Sequence, residues 1–465
     1  MVNDTVIRNF FYTSTPEHEG VLFHIPSGRF FRVFDEKCKS DFRQIFEIGS
    51  LSEDVLEMLH KIDSGKGVCS GSCENCDNQI KSANEFTVRK LALVLTSSCN
   101  MRCRYCYANY GMYDYEKAAD MNAEKLESVL SYFTKNFKGI GAIQFFGGEP
   151  TLKEDLIYQT VDYFERMVQS GEIKTMPVFG IVTNGVYMPD KLVDYFKKYS
   201  FFVTVSVDGP ILGSGHGKYK SIWANIAKIQ NAGINGLSFE CTYTAEHIRN
   251  SISLVDLIKF FDKEFNNPVV HIAPVNIDNN HYLSLVPYKD KYNQYMEELV
   301  DYTFDMLLEE KKMCSTNIVL GVITRIISQA SQKAICPAGV NTFSVSHDNK
   351  ISPCFMYTSK DDISYGNIGD DPDEILSRAY TFDEYINNKD KVDECQECFA
   401  RNVCSSCLGS FEIKSDKVQI SNPIYCESIK VATKRALQRL SDIKKNPKTW
   451  EEFNRFLDKG YEERR

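Results

Sequence analysis

Six apolar runs recur along the middle of the chain, at Leu91 to Leu95, Ala142 to Phe146, Val178 to Val182, Phe202 to Val207, Leu237 to Thr242 and Val269 to Ala273. Between them lie stretches whose apolar positions keep helical spacing: Ala123 to Phe137, Glu154 to Val168, Asp190 to Lys198, Ile222 to Asn231 and Ile252 to Phe265. Strand alternating with helix predicts a parallel sheet with helices outside it. Right-handed crossovers curl such a sheet into a closed or three-quarter barrel. The fold class expected is therefore α/β, a partial (β/α)6 barrel. Its functional groups belong at the C-terminal ends of the strands.

The flanks read differently. Ile7 to Tyr12, Gly20 to Ile25 and Arg29 to Val33 are short β-type runs, with Ser27-Gly28 as a hairpin turn. Two helical segments follow, about Asp35 to Ile48 and Ser52 to Ile62, the second with Val55, Leu56 and Leu59 on its apolar face. Residues 64 to 84 are rich in Gly, Ser and Asn and read as a linker. Beyond the last apolar run come a long helix, about Tyr288 to Lys312, and a connecting helix through Ile318 to Ser331. A hairpin is expected around the Asp348-Asn349 turn.

Composition narrows the class. A chain of 465 residues calls for two or three domains. Hydrophobic residues at 43% and charged residues at 25% are those of a soluble globular protein. A formal charge of -9 leaves no basic footprint for nucleic acid. No apolar run approaches the ~18 residues of a membrane span, and the N-terminus lacks a signal-peptide core. A cytoplasmic location is expected, so the 16 cysteines point to metal or redox chemistry rather than disulfides.

The first apolar run leads straight into Cys99, Cys103 and Cys106, spaced C-x3-C-x2-C, with Tyr105 before the third. Three thiolates this close suit neither a disulfide framework nor a four-ligand zinc site. They suit a [4Fe–4S] cluster with one iron free of protein ligands; three packed cysteines are the alternative. The pattern resembles the radical S-adenosylmethionine (SAM) enzymes. That resemblance implies that the free iron chelates SAM and that the reduced cluster cleaves it to a 5′-deoxyadenosyl radical. Gly147-Gly148-Glu149-Pro150 resembles the family's loop for the methionine amino group. Its glycines allow close backbone approach, and Glu149 offers a carboxylate to an ammonium. Thr183-Asn184-Gly185 and Ser206-Val207-Asp208-Gly209-Pro210 resemble loops that hold SAM's ribose and carboxylate. Ser206 is the better placed of that pair, because Asp208 in an Asp-Gly-Pro turn has a structural use. The Arg-bearing turn that often follows in the family is missing. His216-Gly217-Lys218-Tyr219 stands at the helix opening, His216 as a loop residue, with Lys218 or Lys220 as candidate cations. His271 reads as a barrel residue, and Cys241 and Cys314 as packing residues.

Seven further cysteines lie within about ninety residues: Cys336, Cys354, Cys395, Cys398, Cys404, Cys407 and Cys426. A zinc-ribbon pair is one reading. The set also resembles the SPASM extension of radical SAM enzymes, with Asn349 where a glycine is usual and shorter Cys404-to-Cys407 spacing. That resemblance implies an outer cluster on Cys395, Cys398, Cys404 and Cys426, and an inner one on Cys336, Cys354 and Cys407. Gln329, Ala330 and Ser331 supply no eighth cysteine, so the inner cluster would keep an open iron. Cys69, Cys73 and Cys76 repeat the first spacing without strand or aromatic; they bind zinc or iron–sulfur with Cys38, or form a thiol loop.

The N-terminal layout resembles the winged-helix domain that captures leader peptides by strand addition. An extension packed on the barrel is the alternative. Together the resemblances imply a radical SAM/SPASM maturase that joins Cys thiols to residue carbons of a ribosomally made precursor peptide, giving thioether cross-links. They also imply three [4Fe–4S] clusters, SAM, and a small flavodoxin or ferredoxin as electron donor. The expected divisions are 1–65 for leader recognition, 66–87 linker, 88–312 barrel, 313–440 auxiliary-cluster domain and 441–465 terminal helix. A carbon–carbon or carbon–oxygen cross-linker, an anaerobic sulfatase-maturing enzyme and a non-catalytic iron–sulfur peptide-binding module are the rivals.

Overall fold

The computed structural model describes residues 4–15, 18–48, 53–64, 82–214, 219–266, 268–314, 316–414 and 417–463. Strands β1 (Phe10–Thr13), β2 (Gly20–His24) and β3 (Arg29–Val33) form an antiparallel sheet in that order. Gly28, at φ 66°, makes the hairpin turn. Helix α1 (Glu36–Arg43) is capped by Asp35, which accepts from the Cys38 amide, and passes into a π-turn at Gln44–Ile48. Helix α2 (Glu53–Asp63) buries Val55, Leu56 and Leu59, the apolar face expected of it. All of β2 is buried because the sheet is covered twice. Leu22 packs with Phe42 and Leu59 in a small core, while Val21 and Phe23 join the main core of the protein. Among the described residues neither β1 nor β3 has a second strand neighbour.

The central unit alternates as the hydrophobic pattern requires. Its elements are β4 (Lys90–Val94), α3 (Ala123–Asn136), β5 (Ala142–Phe146), α4 (Glu154–Gln169), β6 (Val178–Thr183) and α5 (Asp190–Lys198). They continue as β7 (Phe202–Ser206), α6 (Tyr219–Asn231), β8 (Gly236–Tyr243), α7 (Leu254–Phe265) and β9 (Val269–Pro274). The six strands pair in parallel and in sequence order. Period-two alternation sends Val203, Val205, Phe239, Cys241, Val270 and Ile272 into the core. Ser206, Glu240 and His271, mutually in register, lie on the other face, which lines the barrel lumen.

Helix α8 (Lys289–Asp305) ends in a π-turn, Met306–Glu310, with Lys311 left-handed at φ 52°, and α9 (Asn317–Ile327) follows. Strand β10 (Thr342–Val345) then returns to pair in parallel with β4, a partner no local pattern announced. Phe343 opposes Leu91 and Val345 opposes Leu93, all four buried, so β10 seals the apolar edge of the first barrel strand. The hairpin to β11 (Lys350–Ser352) turns at Asn349, φ 65°, the left-handed geometry that suits Asn in a glycine's place. With β12 (Gly366–Asn367) the sheet has nine strands, ordered β9-β8-β7-β6-β5-β4-β10-β11-β12. It therefore runs on across the expected boundary at residues 312 and 313.

The remaining elements are α10 (Pro372–Tyr385), the hairpin β13 (Phe411–Lys414) and β14 (Lys417–Ile420), α11 (Pro423–Ile443) and α12 (Pro447–Glu463). Helix α11 receives the N-terminal sheet: Gln438 Nε2 donates to Thr13 Oγ1 at 3.0 Å, and Arg435 Nη1 lies 2.8 Å from His18 Nε2. Phe11 stacks on Phe399 with centroids 3.8 Å apart. Among the described residues no helix is long and apolar enough to cross a membrane.

Candidate active site at the strand ends

The loop after β4 carries Cys99, Cys103 and Cys106, all half-buried. It is pinned to the loop after β5 through backbone alone. The Gly148 amide donates to Thr96 O at 2.8 Å and the Glu149 amide to Ser98 O at 3.0 Å. A Cβ on Gly148 would stand 2.2 Å from Ser98 O, so only glycine permits this approach. Gly111, at φ 96°, folds the far end of the cysteine loop back onto the Gly148 Cα. The three thiols act electrostatically on one another, and burial pushes Cys103 up to about 12.

Each polar residue expected at this site occupies a strand end, and most are already used. Glu149 is buried and caps the short helix that follows. Its Oε1 accepts from the Thr151 amide at 3.1 Å, Thr151 Oγ1 at 2.8 Å and Thr183 Oγ1 at 2.7 Å; Oε2 accepts from the Asn184 amide at 2.7 Å. Three of these bonds fall on Oε1 and one on Oε2, so Glu149 braces the loops after β5 and β6 and keeps an acceptor position on Oε2. Burial raises its pKa, and these bonds oppose the rise.

Thr183 is likewise spent between Glu149 and the Gly185 amide, 3.1 Å away. Asn184 Nδ2 reaches Asn100 Oδ1 at 2.7 Å and Cys99 Sγ at 3.7 Å, tying the third strand to the cysteine loop. Tyr105 donates its hydroxyl to Asp208 Oδ2, and the Thr242 amide donates to Asp208 Oδ1 at 3.1 Å. Desolvation raises Asp208 to about 6. Asp208 thus positions the cysteine loop and β8. The Ser206 hydroxyl makes no hydrogen bond among the described residues and remains the open one of the set. His216 and Lys218 lie outside the described residues; Lys220 sits exposed in the first turn of α6.

The C-terminal cysteines separate into two sets. Cys395, Cys398, Cys404 and Cys426 line one enclosed cavity, and their thiols act on one another. Cys336, Cys354 and Cys407 form the other group by the same criterion. Cys336 is buried, whereas Cys407 is exposed and its Sγ lies 3.9 Å from Met356 Sδ. Met356 and Tyr357 line a cavity of about 600 Å³ shared with Cys106, Tyr107, Asn276 and Gly409, a size suited to a bound ligand. Tyr107 is 46% exposed, yet burial raises its hydroxyl well above the usual value, because the ring faces this interior cavity rather than bulk water. Cys314 is fully buried near the start of β9, where Thr316 bridges Val270, and Cys241 is fully buried within β8. Cys69, Cys73 and Cys76 lie outside the described residues.

One local feature recurs at the thiols. Cys99, Cys336, Cys354, Cys404 and Cys407 each accept a backbone N–H from the residue two positions on. A neutral thiol is a weak acceptor, whereas hydrogen bonds to sulfur are a standard environment of iron–sulfur ligands. Among the described residues no three or more His, Cys, Asp or Glu converge tightly enough for a lone metal ion. The donor sets therefore fit clusters.

Two further groups carried weak signals or none. Glu240 acts on Cys407 and Asp208 from β8, between Ser206 and His271; the polar alternation of Ser238, Glu240 and Thr242 was its visible trace. Lys389 is buried beside the outer cysteines, and nothing in its neighbourhood of the sequence marks it.

Residues 93–246 match the Radical SAM superfamily. Over 409 residues the chain is 23% identical to the radical SAM cyclopropyl synthase TigE of Paramaledivibacter caminithermalis, covering 79% of this chain and 77% of that one. It is 24% identical to a cysteine-type anaerobic sulfatase-maturating enzyme of Clostridium perfringens, covering 76% and 97%. The solved structure of native anSMEcpe with bound AdoMet is similar at a TM-score of 0.62 and 20% identity, covering 77% of this chain and 99% of that one. That likeness is one of fold.

Proposed function

We propose, from the premise that this chain is a radical SAM enzyme of the peptide- and protein-modifying kind, that it installs thioether cross-links in a ribosomally made precursor peptide. Such an enzyme implies a [4Fe–4S] cluster and SAM, and Cys99, Cys103 and Cys106 would hold that cluster. When bound, the pair supplies one-electron chemistry that removes a hydrogen atom from an unactivated carbon. The chain's own residues set the geometry. Asn184 and the Gly148 backbone hold the cysteine loop, Asp208 fixes Tyr105, and Ser206 offers a hydroxyl to the ribose. Seven cysteines would hold two auxiliary clusters, four outer and three inner.

The observation that carries the thioether reading is Cys407, the exposed member of the inner set, whose Sγ lies 3.9 Å from Met356 in the wall of the central cavity. Three protein thiolates are one short of full ligation, which leaves a place for a thiol of the substrate. The edges of the N-terminal sheet, without a second strand neighbour among the described residues, would offer a leader peptide its backbone partners. A small flavodoxin or ferredoxin would supply electrons.

The test uses the reconstituted enzyme, SAM, a reductant and a Cys-containing precursor peptide. Each cross-link should remove two hydrogens from the peptide and one alkylatable thiol. Deleting residues 1–64 should stop processing of full-length peptide while leaving SAM cleavage intact. A product lighter by two hydrogens with every thiol still alkylatable would mean a carbon–carbon or carbon–oxygen link. A new aldehyde would mean the sulfatase-maturing chemistry instead.

A further inference from the structure

Lys389 has no part in the chemistry above, yet it is only 3% exposed. Its Nζ donates to three backbone carbonyls: Gln332 at 3.0 Å, Arg401 at 2.8 Å and Cys404 at 2.7 Å. An ammonium carries three N–H donors, whereas a neutral amine has two and a lone pair that would face a carbonyl. Three convergent acceptors therefore select the charged form. Among the described residues Lys389 makes no ion pair. A buried charge without a counter-ion is left with its desolvation uncompensated. What faces it is the enclosed cavity lined by Cys395, Cys398, Cys404 and Cys426. Lys430 lines the same cavity but shares its charge with Glu427, 3.4 Å away. Charges of both signs act at each set: Asp383 on Cys336, Glu240 on Cys407 and Lys90 on Cys354 at the inner one, Glu394 on Cys395 and Arg325 on Cys404 at the outer one. What distinguishes the outer set is a cation, Lys389, that is itself buried.

We propose that Lys389 is the counter-charge of the outer four-cysteine site, and that it holds a cluster there at a more positive reduction potential than the inner one. One-electron reduction adds negative charge to a thiolate-bound cluster, so a fixed cation a few ångströms away stabilises the reduced form. The same ammonium ties the segment entering Cys336, through Gln332, to the Arg401–Cys404 loop. The inference rests on the reading that these cysteines bind clusters.

The experiment is an anaerobic redox titration of the full-length holoenzyme followed by electron paramagnetic resonance, with iron and sulfide counted in each sample. Lys389→Met keeps the aliphatic stem and removes the charge. At equal iron content its outer-cluster signal should move to a more negative midpoint, with the other two signals unmoved. An unchanged midpoint, or a shift confined to the inner signal, overturns the proposal. Should Lys389→Met lose the outer iron, Lys389→Arg decides: iron retained by Arg supports a counter-charge, and iron lost in both shows a steric tie and overturns it. Wild-type enzyme that cleaves SAM but holds no iron beyond the Cys99 loop would overturn the cluster reading itself, before any variant is made.

Discussion

The carboxylate of Glu149, just past β5, accepts four hydrogen bonds from the protein, whereas the carboxylate of Glu240, on β8, accepts none among the described residues. The contrast extends along each wall of the barrel. From β4 to β7 the strand-end groups other than Ser206 satisfy one another: Thr183 with Glu149, Asn184 with Asn100 and Cys99, Asp208 with Tyr105. Across β8 and β9, Glu240 and His271 lie side by side on the lumen face, and His271 is exposed. A saturated wall is already in its working geometry and suits a cofactor that returns unchanged in shape every turnover. A half-buried carboxylate on the lumen face with no side-chain partner among the described residues is open to a donor from outside, which suits a substrate. On the proposed function, Glu149 would stand on the cofactor side and Glu240 on the substrate side.

The largest effect should come from breaking the saturated wall. Glu149→Gln turns an amide NH₂ toward donors from Thr183 and Asn184, at a cost of about 2–3 kcal/mol for the unpaired buried groups. SAM cleavage, with or without peptide, should fall by about ten- to a hundredfold; cleavage unchanged within about twofold would show that the bracing is dispensable. The opposite wall should respond selectively. Glu240→Gln should lower peptide product about tenfold, the worth of one charge-assisted hydrogen bond. Peptide-independent SAM cleavage should stay within about twofold. An equal fall in both would move Glu240 to the cofactor wall and break the comparison.

The joint between the walls should respond to pH. His247 accepts the Thr244 amide at Nδ1, 3.0 Å away, and its Nε2 lies 3.0 Å from the Asp208 carbonyl. One acceptor and one donor define a neutral ring, and burial holds its pKa down to about 4. The unfolded chain binds a proton near the ordinary value of about 6.5, so below it the unfolded state takes up more protons. This contribution is therefore complete above pH ~6.5 and declines as pH falls toward 4, by about 2 kcal/mol at pH 5. Denaturant unfolding of wild type and His247→Gln across that range measures it: the variant should be less stable near neutrality and show a flatter acid limb. Parallel limbs would exclude His247 as the titrating group.

The barrel was legible in the sequence because its two periodicities, 2 in strands and 3.6 in helices, are local. The cysteine loops were legible for the same reason, since ligands within a few residues leave a spacing. What was illegible depended on distant partners. The bracing role of Glu149 left no local mark because two of its donors, Thr183 and Asn184, stand at the end of the next strand. Strand β10 carries four residues, too few to announce a place in a sheet whose other member lies at Lys90–Val94. Lys389 carries no local mark because its three acceptors come from two other segments.

That late strand bears on how the chain is made. Between Val94 and Thr342 lie about 250 residues, and at ~5–20 residues per second the ribosome needs roughly 10–50 seconds to deliver them. Throughout that interval Leu91 and Leu93 lack the cover of Phe343 and Val345, and the N-terminal sheet lacks helix α11. Closure thus comes late in the making of the barrel, and the nascent unit keeps one flank open, beside the Cys99 loop, until β10 has been made. Iron delivered during that window meets a strand edge with no lid, and a chaperone has a defined apolar edge to hold.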